Sequence, residues 1–186
     1  MKKSLVINIF GGPGCGKSTL AAFIYSQLSI EGLNIELVTE FAKKKTFEKN
    51  IFAISYQPYI TSNQVYYQKL AEKNYDYVIT DSPSLLGIIY NTSMNKKLKN
   101  IYNNFLIEEF KQQNNLNFLI KRHNNEFQQN GRLHNLKESL KIDKQIINLL
   151  EENQIDYYTV KTDEMFFKFK SIILNRIKGI NDDNYK

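Results

Sequence analysis

Gly11-Gly12-Pro13-Gly14-Cys15-Gly16-Lys17-Ser18-Thr19 matches the phosphate-loop pattern G-x-x-x-x-G-K-[ST]. The flanks have the character that the motif requires. Leu5-Val6-Ile7-Asn8-Ile9-Phe10 precedes it as an apolar, β-branched run, which reads as a buried strand. Leu20, Phe23, Ile24 and Leu28 follow at helical spacing. A loop between strand and helix brings backbone N–H groups and the positive end of the helix dipole to bear on phosphate. In that geometry Lys17 reaches the β and γ phosphates, and the Ser18 hydroxyl is placed to ligate Mg²⁺. The expectation is a nucleoside triphosphate site, with ATP and Mg²⁺ as cofactors.

Working outward, Ile35-Glu36-Leu37-Val38-Thr39 reads as a second strand, with Glu40 at its carboxyl end. Ligands of open parallel sheets bind beyond those ends. The segment Phe41 to Ile54 shows no clear period, and Ala42-Lys43-Lys44-Lys45 reads as a solvated face. Pro58 breaks any pattern crossing it, so a helix is expected from a Ser62 cap to Lys73, with Val65, Tyr66 and Leu70 on successive turns. Tyr75-Asp76-Tyr77-Val78-Ile79-Thr80-Asp81 is a further strand ending in an acid, the form of a Walker B segment.

Beyond it, Leu85 to Tyr90 is an apolar run, and Leu98, Ile101, Tyr102 and Phe105 mark an amphipathic helix to about Gln112. Asn117 to Ile120 is a short strand. It leads into a polar segment that carries Arg122, His123, Gly131, Arg132 and His134. Leu136, Leu140, Ile147 and Leu150 indicate a long helix, and Ile155 to Val160 a last strand. Thr162 is a cap for a final helix with Phe166, Phe169, Ile173 and Ile177 on one face. Strand and helix alternate throughout. That predicts an α/β fold: a three-layer P-loop NTPase, with a five-stranded parallel sheet covered on both faces by helices. The chain reads as one domain over residues 1–180, with a lid at about 121–135 and a tail at 181–186.

Composition sets outer bounds. The chain has 186 residues, enough for one full sheet and its helices, and 42% hydrophobic residues, as globular proteins have. Its apolar runs are too short to span a bilayer, and Cys15 is its one cysteine, so a membrane partner and an internal disulfide are not expected. A cytoplasmic location follows as the expectation. The net charge of +6 suits an anionic ligand, a polynucleotide included, but nucleotide binding alone uses part of it.

Phosphoryl transfer needs a phosphate cradle, a metal, a group that orients the acceptor, and positive charge on the transferring group. Gly11 to Thr19 supplies the cradle. Ser18 and Asp81 are candidate metal ligands, and Glu40 is a candidate base for an acceptor hydroxyl. The reverse assignment, with Asp81 as base, satisfies the same pattern. Arg122 and Arg132 are candidate lid arginines. Gln57, Tyr59 and Gln64 carry amide and aromatic groups that suit recognition of a heterocyclic acceptor. Cys15, at a variable position of the loop, reads as a small filler.

Together, the loop, Val38-Thr39-Glu40-Phe41-Ala42-Lys43, Ile79-Thr80-Asp81-Ser82-Pro83, and Arg122 with Gly131-Arg132 resemble the small P-loop kinase-like ATPases of bacteriophage genomes. That group is similar to the ATP-binding domain of nicotinamide riboside kinases and, more distantly, to deoxynucleoside and polynucleotide kinases. The resemblance implies a general base at Glu40, a metal- or substrate-assisting acid at Asp81, and lid arginines at Arg122 and Arg132. It also implies a sheet with the second strand at one edge and the first in the centre. Deoxynucleoside kinases place an arginine directly after the second acid, where this chain has Ser82. The expected reaction is transfer of the ATP γ-phosphate to a nucleoside-like acceptor, or to a hydroxymethylated base in phage DNA, in the host cytoplasm if phage-encoded. The alternative is an ATPase or nucleotide-dependent switch acting on a partner protein.

Overall fold

A computed structural model of the chain describes residues 3–122, 135–161 and 165–179. In order, the elements are β1 (Leu5–Phe10), α1 (Lys17–Ile30), β2 (Ile35–Val38), α2 (Phe41–Phe47), α3 (Ile51–Ser55) and α4 (Gln57–Asn74). They continue with β3 (Tyr77–Thr80), α5 (Leu86–Tyr90), α6 (Lys96–Lys111), β4 (Asn114–Lys121), α7 (Leu136–Glu152), β5 (Tyr158–Lys161) and α8 (Met165–Ile177). The five strands form one sheet in the order β2-β3-β1-β4-β5. β1 and β2 each pair parallel with β3, and β4 pairs parallel with β5. The second strand is thus at an edge and the first is central, as the resemblance implied. Among the described residues no helix is long and apolar enough to cross a membrane.

The chain divides into two compact units, each discontinuous in sequence. One contains residues 1–8 and 34–115, the other 9–33 and 116–186. β1 runs through the division, and its residues Val6, Ile7, Ile9 and Phe10 are fully buried. A strand covered on both faces reads as a continuous apolar run, which is why this one is legible.

In the first unit, the register sets Asn8 beside Thr80 and Val38 beside Thr80 across neighbouring strands. The buried Asn8 donates its amide to Asn115 Oδ1 at 2.8 Å, which satisfies a polar group inside the sheet. α4 departs from the sequence expectation. It begins at Gln57, and Pro58 lies in its first turn, where a missing N–H costs nothing. Ser62 lies inside the helix. Its buried face is Gln57, Ile60, Thr61, Gln64, Gln68 and Ala71, whereas Tyr66 and Leu70 are exposed. Each of the three glutamine Nε2 groups there finds an acceptor. Gln68, for example, donates to Glu72 and to Gln113 at 2.9 and 2.8 Å. α6 is turned likewise. It buries Leu106 and Phe110, and exposes Leu98, Ile101 and Phe105.

In the second unit, Leu20, Ile24 and Leu28 of α1 and Phe169, Ile172 and Ile173 of α8 are buried, and the two helices pack together. Phe118 stacks on Phe169 at 3.8 Å and on Tyr158 at 5.6 Å between ring centroids. α7 opens with a reciprocal cap. Asn135 accepts from the Glu138 N–H, and Glu138 accepts from the Asn135 N–H. Its buried face is Ser139, Ile142, Ile146 and Leu150, one position off the apolar reading at Leu140 and Ile147. Thr162 and the side chain of Phe166 lie outside the described residues.

Candidate active site

The phosphate loop belongs to the second unit. Gly16 stands at the N-cap of α1 with φ 89° and ψ 11°, a left-handed conformation that glycine adopts without steric cost. No side chain caps this helix end. Its first N–H groups are therefore available to an anion, as a phosphate site requires. Ser18 and Thr19 are exposed on the first turn. Lys17 Nζ donates to the Gly12 carbonyl at 3.0 Å, so the ammonium already lies along the loop. Cys15 is buried beneath the loop, in keeping with its reading as a filler.

Arg122, expected in a lid, is held against this loop. Its Nε donates to Asp143 Oδ2 at 2.7 Å, and its Nη2 donates to the Pro13 carbonyl and to Ser139 Oγ, each at 2.5 Å. The guanidinium is 5% exposed. Two residues of α7 that sequence reasoning passed over complete the arrangement. Ser139 Oγ donates to the Pro13 carbonyl at 2.5 Å, and Asp143 Oδ1 accepts from the Gly12 N–H at 2.5 Å. The sequence does carry a faint sign of them. Ser139 and Asp143 lie four residues apart, hence on one helix face, next to the apolar stripe. Arg132, His123 and His134 lie outside the described residues, as does the lid from 123 to 134.

The first unit carries the acids. Glu40 stands at the N-cap of α2, one residue beyond the end of β2, and is partly buried. It borders a cavity of about 800 Å³ together with Phe41, Lys44, Tyr67, Leu70 and Tyr75. Lys44, read as part of a solvated face, therefore lines this cavity. The neighbouring Lys45 pairs with Glu48 at 2.7 Å, a hydrogen bond that pushes its ammonium above the ordinary lysine value. Asp81 follows β3 and is 3% exposed. Among the described residues its buried Oδ1 has no hydrogen-bond partner, a costly state for a carboxylate oxygen that calls for a cation or donor.

Of the three expected acceptor residues, Gln64 is committed to the interior. Its Oε1 accepts from the Phe41 N–H at 2.9 Å, and its Nε2 donates to Thr80 Oγ1 at 3.5 Å. Thr80 Oγ1 also accepts from the Ser82 N–H at 3.1 Å. Gln64 thus ties the residue after Glu40 to the residue before Asp81. Gln57 is buried as well, donating to Thr61 Oγ1 at 3.1 Å. Tyr59 is 39% exposed, its ring edge-on to Phe41 at 5.7 Å. None of the three lines the cavity that Glu40 borders. Replacing Gln64 with leucine leaves the buried Phe41 N–H unpaired. The expected result in urea unfolding is a stability loss of about 1–3 kcal/mol.

Comparison with known proteins agrees with this fold. A family model described as an AAA domain matches residues 6–165. No curated protein matches the chain. Among solved structures, deoxyadenosine kinase from M. mycoides with bound dATP aligns over 93% of this chain and 99% of its own, with a TM-score of 0.57 and 20% identity. The same enzyme with its products dCMP and dCDP aligns over 94% and 100%, with a TM-score of 0.57 and 21% identity. At such identity the likeness is one of fold, a kinase-type P-loop sheet. With the family model covering most of its length, this chain belongs to the AAA domain family.

Proposed function

We propose that this protein is a Mg²⁺-dependent kinase that transfers the γ-phosphate of ATP to a hydroxyl of a nucleoside-like acceptor. The observation that carries the reading is Glu40, a carboxylate just beyond the carboxyl end of an edge strand, which borders a cavity of about 800 Å³. Small-molecule pockets run from roughly 300 to 1,000 Å³, and a nucleoside is within that range. Phe41, Tyr67 and Tyr75 give the cavity aromatic walls, and Lys44 adds a cation. The fold likeness to a deoxyadenosine kinase supports the same acceptor class.

In this reading Gly11 to Thr19 cradles the phosphates. Lys17 neutralises their charge, with Arg132 as a further cation, while Arg122, paired with Asp143, holds the loop. Glu40 accepts the proton from the acceptor hydroxyl as it attacks the γ-phosphate. Asp81 and Ser18 would hold Mg²⁺. The buried, unpartnered Asp81 Oδ1 and the exposed Ser18 hydroxyl are hard oxygen donors, which fit that ion. Mg²⁺ typically takes one or two carboxylates and completes its shell with phosphate oxygens and water. When bound it supplies charge neutralisation on the β and γ phosphates. The loop, Glu40 and Asp81 each follow the carboxyl end of a parallel strand, and the proposal requires that they serve one nucleotide.

A hydroxymethylated base in DNA is the finer variant of the acceptor. The net charge of +6 and the phage-type motifs support it. The test incubates the protein with γ-labelled ATP and Mg²⁺ against panels of nucleosides, nucleotides and hydroxymethylated DNA. Label on a nucleoside is the expected result, and label on DNA selects the finer variant. Free phosphate as the sole product in every panel overturns the kinase reading and leaves an ATPase acting with a partner protein.

A further inference from the structure

We infer that Ser139 and Asp143 of α7 are positioning residues for the phosphate loop, fixing the backbone on either side of its Gly12–Pro13 bond so that the remainder of the loop can wrap phosphate. The inference rests on the loop's binding of nucleotide phosphates, and not on what happens to them afterwards. Four bonds define the brace. Asp143 Oδ1 takes the Gly12 N–H, and Ser139 Oγ and Arg122 Nη2 both donate to the Pro13 carbonyl. Arg122 Nε closes the circuit on Asp143 Oδ2. Proline has no N–H, so the Pro13 carbonyl is the only backbone handle at that residue, and it is doubly held. The Gly12 carbonyl lies between these two held groups and receives Lys17 Nζ, so the stretch that α7 holds is bonded to the ammonium that reaches phosphate.

Two further observations agree. A Cβ built on Gly12 meets Asp143 Oδ1 and lies 2.8 Å from the Ser139 carbonyl, so α7 leaves space only for glycine at this point of the loop. Ser139 is fully buried on α7, and its hydroxyl is used twice, accepting from Arg122 and donating to the Pro13 carbonyl. The charge at Asp143 is also informative. A carboxylate beside a phosphate loop opposes anion binding unless its charge is absorbed. Here Arg122 and the Gly12 N–H absorb it.

This gives the inference a sign. If Asp143 merely balanced charge, its removal would free Arg122 and tighten phosphate binding. If it positions the loop, its removal weakens binding. The test titrates ATP and inorganic tripolyphosphate into the parent protein and into Asp143→Ala, Asp143→Asn and Ser139→Ala. Asp143→Ala is expected to weaken both ligands about tenfold or more, and Ser139→Ala about threefold, in line with a lost charged and a lost neutral hydrogen bond. Asp143→Asn keeps an oxygen for the Gly12 N–H and should lose clearly less than alanine does. Unchanged or tighter binding by folded Asp143→Ala overturns the inference, as does an equal loss in the asparagine and alanine variants. Should Asp143→Ala fail to fold, Ser139→Ala decides, and full affinity there overturns the inference. The readout is binding alone, so a protein that binds ATP but transfers nothing defeats the kinase reading and leaves this one standing.

Discussion

Lys17→Ala abolishes nucleotide-dependent activity: transfer is expected to fall by about 10²–10³, with a parallel weakening of ATP affinity. The reason lies in the loop. The backbone N–H groups at the start of α1 bind phosphate as dipoles, but Lys17 is the loop's single full positive charge. Its Nζ rests 3.0 Å from the Gly12 carbonyl and needs only a local swing to meet a β or γ oxygen. Alanine removes the charge and leaves that carbonyl without the bond. Titration of a fluorescent ATP analogue and assay of labelled transfer measure the two effects. Full transfer by Lys17→Ala would exclude the loop from the chemistry.

Glu40→Gln is expected to separate binding from chemistry. ATP affinity should stay close to the parent value while transfer slows by about 10²–10⁴, the range for a lost general base. Asp81→Asn should behave differently. Its buried Oδ1 lacks a partner and is assigned to the ion, so transfer by this variant should demand more Mg²⁺ and recover as the concentration rises. Glu40→Gln should show no such recovery. The Mg²⁺ dependence of the two variants therefore assigns the acids. If Glu40→Gln were fully active and Asp81→Asn inactive at every Mg²⁺ concentration, the base would be Asp81.

What the sequence reveals here is what local physics decides. The loop is contiguous, and its glycines, lysine and serine do their work within nine residues, so it is fully legible. β1 is legible because a strand buried on both faces reads as a nearly continuous apolar run, broken here only by Asn8. Glu40 and Asp81 are legible as acids because parallel strands end where ligands bind. α4 misleads for a physical reason. Its tyrosines and leucine look like a core stripe, yet glutamines face inward. A buried amide is stable only when its partners are in place, and the partners of Gln64 and Gln68 come from other segments: Phe41, Thr80 and Gln113. No periodicity within the helix records them. Arg122 is visible as a cation, but Asp143 and Ser139, which fix its direction, lie across a segment of polar sequence. They look there like any solvated helix face. The same limit separates Gln64 as an acceptor ligand from Gln64 as a tie between two acid-bearing turns.

The brace on the phosphate loop also has a consequence in time. Its bonds join residues 109, 126 and 131 positions apart along the chain. The loop leaves the ribosome near the start of synthesis, while Arg122, Ser139 and Asp143 emerge far later. At roughly 5–20 residues per second, the delay amounts to roughly ten seconds. Throughout that interval the nascent loop has its glycines and its lysine but none of the groups that fix its front half. The most recognisable motif in the chain is thus among the first parts to be made and among the last to be secured. A polypeptide released before α7 carries the full signature of a nucleotide site without the means to hold it in shape.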